Sequence, residues 1–509
     1  MKPYLGKVYL IGAGPGDPEL ITVKGQNCIQ KADVVVYDYL AAEQLLGLCS
    51  ENAEVIYVGK KAGDHTLTQD KINALIAEKA EAGKVVARLK GGDPFIFGRG
   101  GEEAEVLAAR NIPFEIVPGV SSAIAAPAYA GIPLTHRKYA ASVSFITGHE
   151  DPTKETTGVN WQVLADNPGT LVFLMGVRNL SKIVTALMDH GKTGDTPVAL
   201  VRWGTTPLQQ TVTGNLQNIV KRVKEAGLTA PCIIVIGGVV EMRDVIGWFE
   251  KRPLLGKRIV VTRARPQASE FMKLLSGLGA ACIPCPTIRV VPPDDYTGLD
   301  KSLDQLSTYD WLIFTSVNGV DFFFKRLYQK GLDARALGHF KTAVIGPATE
   351  KRLAGQGINS DIVPENYRAE SVVAAFQSED VKGKRILLPR AAEARPILPE
   401  ELSKMGALVD EIPVYFTRQE DTSGNLLPAL ENREVDMVTF TSSSTVTNFR
   451  NLLPADKAAA DRLMTGVRIA AIGPITADTA RKAGFDVHIS ADTYTIAGLA
   501  DAIVAYYTH

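Results

Sequence analysis

The first residues that could do chemistry stand in and after a glycine-rich loop. The loop Gly12–Asp17 follows an apolar segment, and Asp38 closes the next one. Glycines let a chain turn sharply and let a ligand approach the backbone closely. An acidic residue about 20 positions later is also typical of dinucleotide-binding folds. Asp17 stands where that fingerprint needs its third glycine, and Pro15 stiffens the loop, so the pattern indicates a dinucleotide only weakly.

Two further glycine-rich stretches have a more specific pattern. Residues 88–103 read RLKGGDPFIFGRGGEE, and residues 117–123 read VPGVSSA ahead of residues 135–137, THR. In this order and spacing they resemble the uroporphyrinogen-III C-methyltransferases, which make precorrin-2 with S-adenosylmethionine. The resemblance covers residues 3–250 and includes Val58–Lys60, Thr147–Glu150 and Gly204–Pro207. A sulfonium ligand without phosphate needs close main-chain contacts and no arginine-rich cradle, which agrees with these loops.

The resemblance implies roles for individual residues. It makes Asp38 the proton acceptor and Lys60 the proton donor. Methyl transfer to a pyrrole carbon depends on positioning, and a base must then remove a proton as the macrocycle rearranges. Ser121 stands where threonine is expected and keeps the hydroxyl. The residues expected to hold the cofactor are Pro15, Gly91, Gly92, Asp93, Ile96, Ser121, Ser122, Met175 and Gly204.

Each of these residues also has a simpler interpretation. Asp38 could cap the segment after its strand, and Lys60 beside Lys61 could be solvated surface. Met175 ends an apolar strand-like run and could be ordinary core. His136 and His149 have no partner at ligand spacing, so no metal site is expected.

The second half of the chain repeats itself. Two copies favour a protein of two similar α/β lobes with a cleft, because a solenoid needs at least about three repeats. Three segments match later ones at an offset of 126 or 127 residues: Gly256–Ala264 with Gly383–Ala391, Asp310–Ser316 with Asp436–Ser442, and Ala343–Thr349 with Ala470–Thr476.

These lobes resemble uroporphyrinogen-III synthase over residues 256–509. The resemblance is carried by residues 261–264, 314–320, 345–349, 388–390, 414–417, 440–444 and 472–477. In that family the ligand lies between the lobes, and we place the two lobe crossings near residues 288–290 and near Tyr415. The implied substrate is hydroxymethylbilane, which loses hydroxide, closes and inverts its last ring without a cofactor.

The same resemblance indicates which groups act on hydroxymethylbilane. Tyr415 is the candidate acid. The expected substrate-binding residues are Arg263, Ser316, Thr349, Arg390, Ser442 and Thr476, with Arg395 as a further candidate. Hydroxyls, arginines and helix N-termini suit carboxylates. Both threonines could instead be N-caps, and each arginine could be surface. Cys282 and Cys285 have C-x-x-C spacing but no second pair, so structural thiols are expected.

These residues must be positioned by an α/β fold, because apolar runs of strand length alternate with longer amphipathic segments. Residues 1–250 are expected to form a two-lobed domain like the tetrapyrrole methylases, followed by a linker at 251–255 and a second domain at 256–509.

Net charge is −1 and 46% of residues are hydrophobic, which excludes a polycation or a disordered chain. Five scattered cysteines and the absence of a leader or an apolar run of membrane length favour a cytoplasmic protein. The sequence has no evident helix-turn-helix or basic stripe, so nucleic-acid binding is not expected. The resemblance suggests that the protein forms a homodimer through its first half.

The predicted function is therefore bifunctional. The second half would cyclise hydroxymethylbilane to uroporphyrinogen III, and the first half would methylate that product twice to precorrin-2, for cobalamin or sirohaem synthesis. Two alternatives remain at this point. The first half could methylate a later corrin intermediate, and the second half could be a tetrapyrrole-binding regulator without activity.

Overall fold

The computed structural model describes residues 6–59, 67–149, 158–263, 265–364, 369–419 and 423–508. Within these ranges the chain is a mixed α/β protein with four five-stranded sheets. The α/β fold class expected from the sequence is confirmed, with two sheets in each half. No helix of the described residues is long and apolar enough to cross a membrane.

Twenty strands are found in the described part of the chain. They are β1 Lys7–Gly12, β2 Val34–Tyr37, β3 Glu54–Tyr57, β4 Val85–Lys90, β5 Phe114–Val117, β6 Val143–Thr147, β7 Thr170–Leu174, β8 Pro197–Arg202, β9 Gln210–Asn215, β10 Cys232–Ile236, β11 Arg258–Val261, β12 Ala281–Pro284, β13 Ile288–Val291, β14 Trp311–Phe314, β15 Lys341–Val344, β16 Arg385–Ala391, β17 Leu408–Gln419, β18 Met437–Phe440, β19 Arg468–Ala471 and β20 Ile489–Ser490.

The α-helices of the same ranges lie mostly between these strands. They are α1 Val23–Gln30, α2 Gln69–Glu81, α3 Gly100–Ala109, α4 Ser122–Tyr129, α5 Trp161–Asp166, α6 Leu180–Asp189, α7 Ile219–Glu225, α8 Arg243–Ile246, α9 Arg265–Gly277, α10 Thr297–Asp304, α11 Val317–Gln329, α12 Pro347–Ala354, α13 Ala369–Phe376, α14 Ile397–Lys404, α15 Ser423–Glu431, α16 Ser443–Leu452, α17 Lys457–Leu463, α18 Pro474–Lys482 and α19 Ile496–Thr508.

The chain divides into two compact units. The first comprises Met1–Arg258, Lys273–Cys282 and Val504–His509, and the second comprises Ile259–Met272 and Ile283–Ile503. The domain limits 1–250, 251–255 and 256–509 stay predictions, as do the two lobe crossings.

The first sheet is parallel, in the order β3-β2-β4-β1-β5. Its strands are mostly apolar on both sides because helices cover both faces: α2 and α3 pack on one face, and α1 packs on the other. Parallel strands end at the same edge, so the loops after β1, β2, β4 and β5 meet there.

The second sheet of the first unit is mixed, in the order β6-β7-β10-β8-β9. Strands β6 and β7 are parallel, whereas β10 runs antiparallel to both of its neighbours. Strands β7 and β10 are buried along their whole length. Helices α5, α6 and α7 pack against one face, and α4 packs against the other.

The second half contains two sheets that exchange strands between the sequence repeats. One sheet has the order β12-β11-β18-β19-β20, and the other has the order β13-β17-β16-β14-β15. Strand β11 of the first repeat lies parallel to β18 of the second, and β16 of the second repeat lies parallel to β14 of the first. Each of these sheets therefore combines two strands of one repeat with three strands of the other.

Candidate active sites

A glycine bridge joins the loops after β1 and β4 at the carboxyl edge of the first sheet. The Gly92 N–H donates to the Gly14 carbonyl over 2.7 Å, and the Gly14 N–H donates to the Gly92 carbonyl over 3.3 Å. Both residues have left-handed φ angles, +80° and +72°. A side chain at either position would be strained, so this bridge needs glycine.

The loop after β5 packs against the same bridge through its main chain. A Cβ on Gly12 would lie 2.5 Å from the Gly119 Cα, and one on Gly119 would collide with the Gly92 carbonyl oxygen. The buried Asp93 carboxylate ties these loops, because it accepts the Phe95 N–H over 2.8 Å and the Gly119 N–H over 2.9 Å. Asp93 therefore shapes the edge at which the cofactor was predicted to bind.

The remaining residues predicted to hold the cofactor from the first sheet lie at the same edge or beside it. Buried Ser121 caps α4 by accepting the Ala123 N–H, and Ser122 opens that helix. A Cβ on Gly91 would come within 2.5 Å of the Leu40 Cβ, which places this glycine against the segment after Asp38. Pro15 and Ile96, both half-buried, lie in the loops after β1 and β4.

The second sheet contributes Met175 and Gly204. Met175 follows β7 with a left-handed φ of +58° and is 51% exposed, so its interpretation as core is wrong. Non-glycine residues in this conformation are uncommon and often mark functional sites. A side chain on Gly204 would collide with Ala126 of α4.

The loops after β1 and β8 are joined directly. The Asp17 N–H donates to the Thr205 hydroxyl over 3.0 Å. The Asp17 carboxylate accepts the Glu19 N–H over 2.9 Å and the Tyr129 hydroxyl over 2.8 Å. Burial and this carboxylate raise the pKa of Tyr129 well above its ordinary value, so the tyrosine stays a donor. Loops of both sheets in the first unit are thereby held together.

Asp38 lies at the carboxyl end of β2 with its side chain 27% exposed. One carboxylate oxygen accepts the Leu40 N–H over 3.2 Å, which is the capping contact that the simpler interpretation predicted. The other oxygen accepts from Arg88 Nη2 over 3.0 Å. The predicted proton acceptor is thus an ion-paired carboxylate that is still partly open. Lys60, the predicted donor, lies outside the described residues.

A buried charge network beneath Asp38 was missed by the sequence analysis. Arg88 and Lys90 are 3% and 4% exposed, and Glu103 of α3 is 1% exposed. Glu103 Oε1 accepts from Lys90 Nζ over 2.6 Å, from Gln69 over 3.0 Å and from Arg88 Nε over 3.3 Å. Burial, and then Arg88, lower the pKa of Lys90.

A signal for this network was present in the sequence. Residues two apart on a strand face the same side of the sheet. Val86 of β4 packs under α2 and α3. Arg88 and Lys90 continue the same spacing, which predicts two cations under those helices. Finding their partner required knowing that α3 brings Glu103 onto that face.

The loops suit a ligand without phosphate. They offer main-chain groups and one helix N-terminus, and the cations nearest to them are already engaged. Lys90 pairs with Glu103, and Arg99 pairs with Glu102 over 2.5 Å. These residues therefore fit a cation such as S-adenosylmethionine better than a pyrophosphate.

In the second half, Tyr415 of β17 contacts Ser316 at the start of α11. Their hydroxyl oxygens are 3.0 Å apart, and Ser316 also accepts the Gly319 N–H over 2.9 Å. Tyr415 is buried and stacks on Phe322 at a ring separation of 5.8 Å. Burial raises the pKa of Tyr415, and the Glu393 charge adds to this, while Ser316 and Arg390 oppose it. Tyr415 is therefore a neutral donor near neutral pH.

Arg390 lies close to Tyr415 and is buried, so its interpretation as surface is wrong. Its Nη2 donates to the Arg395 carbonyl over 2.7 Å, and its Nη1 is 3.4 Å from a Glu411 carboxylate oxygen. Its Nε and Nη1 have no hydrogen-bond acceptor among the residues described. Arg395 is largely exposed and pairs with Glu370 over 3.6 Å.

The two Gly-Pro-x-Thr turns open α12 and α18, but the threonines are not the caps. Gly346 and Gly473 occupy the N-cap positions, and Thr349 and Thr476 are the third residues of their helices, both buried. The N-cap interpretation of these threonines is therefore wrong. Buried hydroxyls in the first turn of a helix stay compatible with the predicted carboxylate binding.

The other lobe repeats this arrangement. Ser442 caps α16 in a capping box with Thr445, as Ser316 caps α11. Arg263 follows β11 as Arg390 ends β16, and burial lowers the pKa of both guanidinium groups. Ser443 and Thr479 join α16 to α18 through hydroxyls 2.8 Å apart.

Burial raises the pKa of Cys282 to about 11, as expected for a structural thiol.

Comparison with known proteins identifies both halves. Residues 7–220 match the family described as tetrapyrrole (corrin/porphyrin) methylases, and residues 269–501 match the family described as uroporphyrinogen-III synthase HemD. A porphyrin biosynthesis protein HemD of Ruminiclostridium josui is 36% identical over 98% of this chain and 98% of its own length. The S-adenosyl-L-methionine-dependent uroporphyrinogen III methyltransferase of Methanosarcina barkeri is 54% identical over 48% of this chain and 95% of its own. A solved uroporphyrin-III C-methyl transferase of Thermus thermophilus, complexed with S-adenyl homocysteine, is 37% identical over 46% of this chain and 99% of its own, with a TM-score of 0.40.

The chain belongs to the tetrapyrrole methylases through its first half and to the uroporphyrinogen-III synthases through its second half. Both resemblances stated from the sequence are confirmed. The chain is thus a bifunctional enzyme of tetrapyrrole biosynthesis with a uroporphyrinogen-III C-methyltransferase domain and a uroporphyrinogen-III synthase domain.

Proposed function

We propose that this enzyme converts hydroxymethylbilane to uroporphyrinogen III in its second half and methylates that product twice to precorrin-2 in its first half. S-adenosylmethionine is the methyl donor, and the synthase half works without a cofactor. In both halves most of the predicted groups lie at the carboxyl ends of strands that pair in parallel, and this placement is what most supports the proposal.

In the first half, the main chain and Asp38 have separate tasks. When bound, S-adenosylmethionine supplies an electrophilic methyl group. The glycine bridge, the start of α4 and Met175 would hold it and fix the direction of transfer. Asp38 would accept the proton that the macrocycle releases after one of its pyrrole carbons has been methylated. Its second oxygen stays on Arg88, which holds the acceptor in place.

In the second half, Tyr415 and the arginines have complementary tasks. Tyr415 would donate a proton to the departing hydroxide of hydroxymethylbilane, which leaves as water. Arg390 has two nitrogen atoms without an acceptor among the described residues, and a substrate carboxylate would supply one. Arg263, Ser316, Thr349, Ser442 and Thr476 would bind further carboxylates, so that the linear tetrapyrrole is folded for closure.

A single reaction tests both assignments. Hydroxymethylbilane is supplied with and without S-adenosylmethionine, and products are followed by absorbance, isomer separation and mass. Without the methyl donor we expect the type-III isomer faster than spontaneous closure, and with it a gain of two methyl groups. No type-III isomer above the spontaneous rate would refute the synthase assignment. Uroporphyrinogen III that gains no methyl group would refute the methylation assignment and favour a later corrin substrate.

We further propose that the protein is a homodimer through its methyltransferase half and works in the cytoplasm on small-molecule tetrapyrroles, without nucleic acid. Light scattering during size-exclusion chromatography measures the mass directly. A mass twice that of the 54.8 kDa chain is expected, and a monomer at micromolar concentration would refute the dimer.

A further inference from the structure

We infer, on the basis of the proposed role of Asp38, that Arg88 is a positioning residue for this proton acceptor and that Glu103 in turn holds Arg88. All three guanidinium nitrogen atoms of the buried Arg88 already have acceptors, so it would act only through Asp38. Glu103 has no role in the function proposed above, where Arg88 appears only as a contact of Asp38.

The geometry of Arg88 leaves its guanidinium little freedom. Nη2 donates to Asp38 over 3.0 Å, Nε donates to Glu103 over 3.3 Å, and Nη1 donates to the Leu89 carbonyl over 2.7 Å. Three acceptors, one on each nitrogen atom, fix the plane of the group. The Asp38 oxygen that it holds is therefore fixed relative to β4, the strand that leads into the glycine bridge.

Asp38 keeps room for a proton despite these contacts. A carboxylate has about four acceptor positions, and the Leu40 N–H and Arg88 occupy one on each oxygen. The side chain is 27% exposed, so a reacting group can still reach it. Arg88 thus sets the direction of Asp38 without blocking it.

The network behind Arg88 explains how a buried cation is tolerated. Asp38 and Glu103 carry two negative charges, and Arg88 and Lys90 carry two positive charges, so the four groups are neutral together. Buried charges are stable only when paired, and removing one partner leaves another uncompensated. Glu103 Oε1 accepts hydrogen bonds from Arg88, Lys90 and Gln69, and these bonds anchor the network to α3.

A lysine at position 88 should not perform the role of Arg88, although it keeps the positive charge. An ammonium group is a compact point charge, whereas the guanidinium contacts Asp38 and Glu103 at the same time through two different nitrogen atoms. Arg88→Lys is therefore the informative variant, because it preserves neutrality but frees Asp38. The matched control is Arg243→Lys in the same unit, where Arg243 donates to Glu250 over 2.6 Å and to the Ala130 carbonyl over 2.7 Å.

The test compares methyl transfer to uroporphyrinogen III by the full-length wild type, Arg88→Lys, Asp38→Asn and the double variant. We expect Arg88→Lys to lower kcat about 10-fold to 100-fold, since a small displacement of a reacting group costs this much. The KM for uroporphyrinogen III and the Kd for S-adenosylhomocysteine should change less than about twofold. The Arg243→Lys control should keep the wild-type kcat.

The double variant separates positioning from a structural role. If Arg88 acts through Asp38, Arg88→Lys costs nothing further in the Asp38→Asn background. A loss that multiplies in the double variant, a loss in KM alone, or a wild-type kcat for Arg88→Lys would overturn the inference. A wild-type rate for Asp38→Asn would instead overturn the proposed role of Asp38 itself.

If Arg88→Lys does not fold, Glu103→Gln provides a second test of the same inference. This variant has the same shape and retains an acceptor for Arg88 Nε, but it weakens the anchor. We expect a smaller loss of kcat in the same direction, again absent in the Asp38→Asn background. Circular dichroism confirms that each variant is folded before its rate is compared.

Discussion

The hydroxyl of Tyr415 is an acid whose strength is set by its surroundings. Burial raises its pKa above the ordinary value near 10, so it is protonated throughout the neutral range. We expect Tyr415→Phe to lower the kcat for type-III isomer formation about 100-fold, because it removes the proton donor. Synthase activity of the wild type should not fall through this group until the pH exceeds about 10.

The control for this prediction is Tyr328→Phe in the same half. Tyr328 is exposed and donates to Gln356 over 2.7 Å, so its loss should leave the rate unchanged. Methylation of added uroporphyrinogen III by Tyr415→Phe should also stay at the wild-type rate. An undiminished type-III rate in Tyr415→Phe would exclude this tyrosine as the acid.

At the scale of elements, the three loops of the first sheet are held by main-chain contacts that a single methyl group would break. A Cβ at Gly119 would collide with the Gly92 carbonyl oxygen, which cannot move without opening the glycine bridge. We expect Gly119→Ala to weaken S-adenosylhomocysteine binding at least about 10-fold and to destabilise the protein by about 1–3 kcal/mol. Titration calorimetry and urea unfolding measure the two effects.

Gly101→Ala is the matched control for Gly119→Ala. Gly101 lies in α3, and a Cβ there would meet no heavy atom within 4 Å. Alanine is preferred over glycine inside a helix by about 1 kcal/mol, so this variant should be slightly more stable than the wild type. Equal ligand affinity in the two alanine variants would show that the close approach of the loops is not needed.

The elements also show what the sequence could predict. Apolar runs predicted an α/β fold, and the glycine motifs indicated the loops that contain Gly92 and Ser121, because strand ends and turns are local properties. The Arg88–Glu103 pair was not predicted, since it depends on how α3 packs over β4. The left-handed backbone of Met175 was missed for a similar reason: a residue in that conformation is fixed by its neighbours.

The repeats of the second half give the same lesson. Their register predicted two similar lobes, and both occur. Repetition alone could not show that β11 pairs with β18 and β16 pairs with β14, because matching strands are equivalent in sequence. The caps were also ambiguous: glycine and threonine both favour helix starts, and the structure has Gly346 and Gly473 at the N-caps.

At the scale of the whole molecule, two compact units predict two unfolding steps. The residues predicted to hold the cofactor, from Pro15 to Gly204, all belong to the first unit, and Tyr415 belongs to the second. Units with separate cores unfold separately unless a large interface couples them. Differential scanning calorimetry of the full chain should therefore resolve two transitions.

S-adenosylhomocysteine should shift only one of these transitions. A ligand that binds one folded unit stabilises it by about 2.7 kcal/mol at 100 times its Kd. For a unit of about 250 residues this raises the midpoint by several degrees, on the order of 5 °C. Gly119→Ala should lose most of this shift, whereas Tyr415→Phe should keep it, since Tyr415 lies in the other unit. One transition that moves as a whole with ligand would show instead that the two units unfold together, and mutations in either half would then lower both activities through a shared stability.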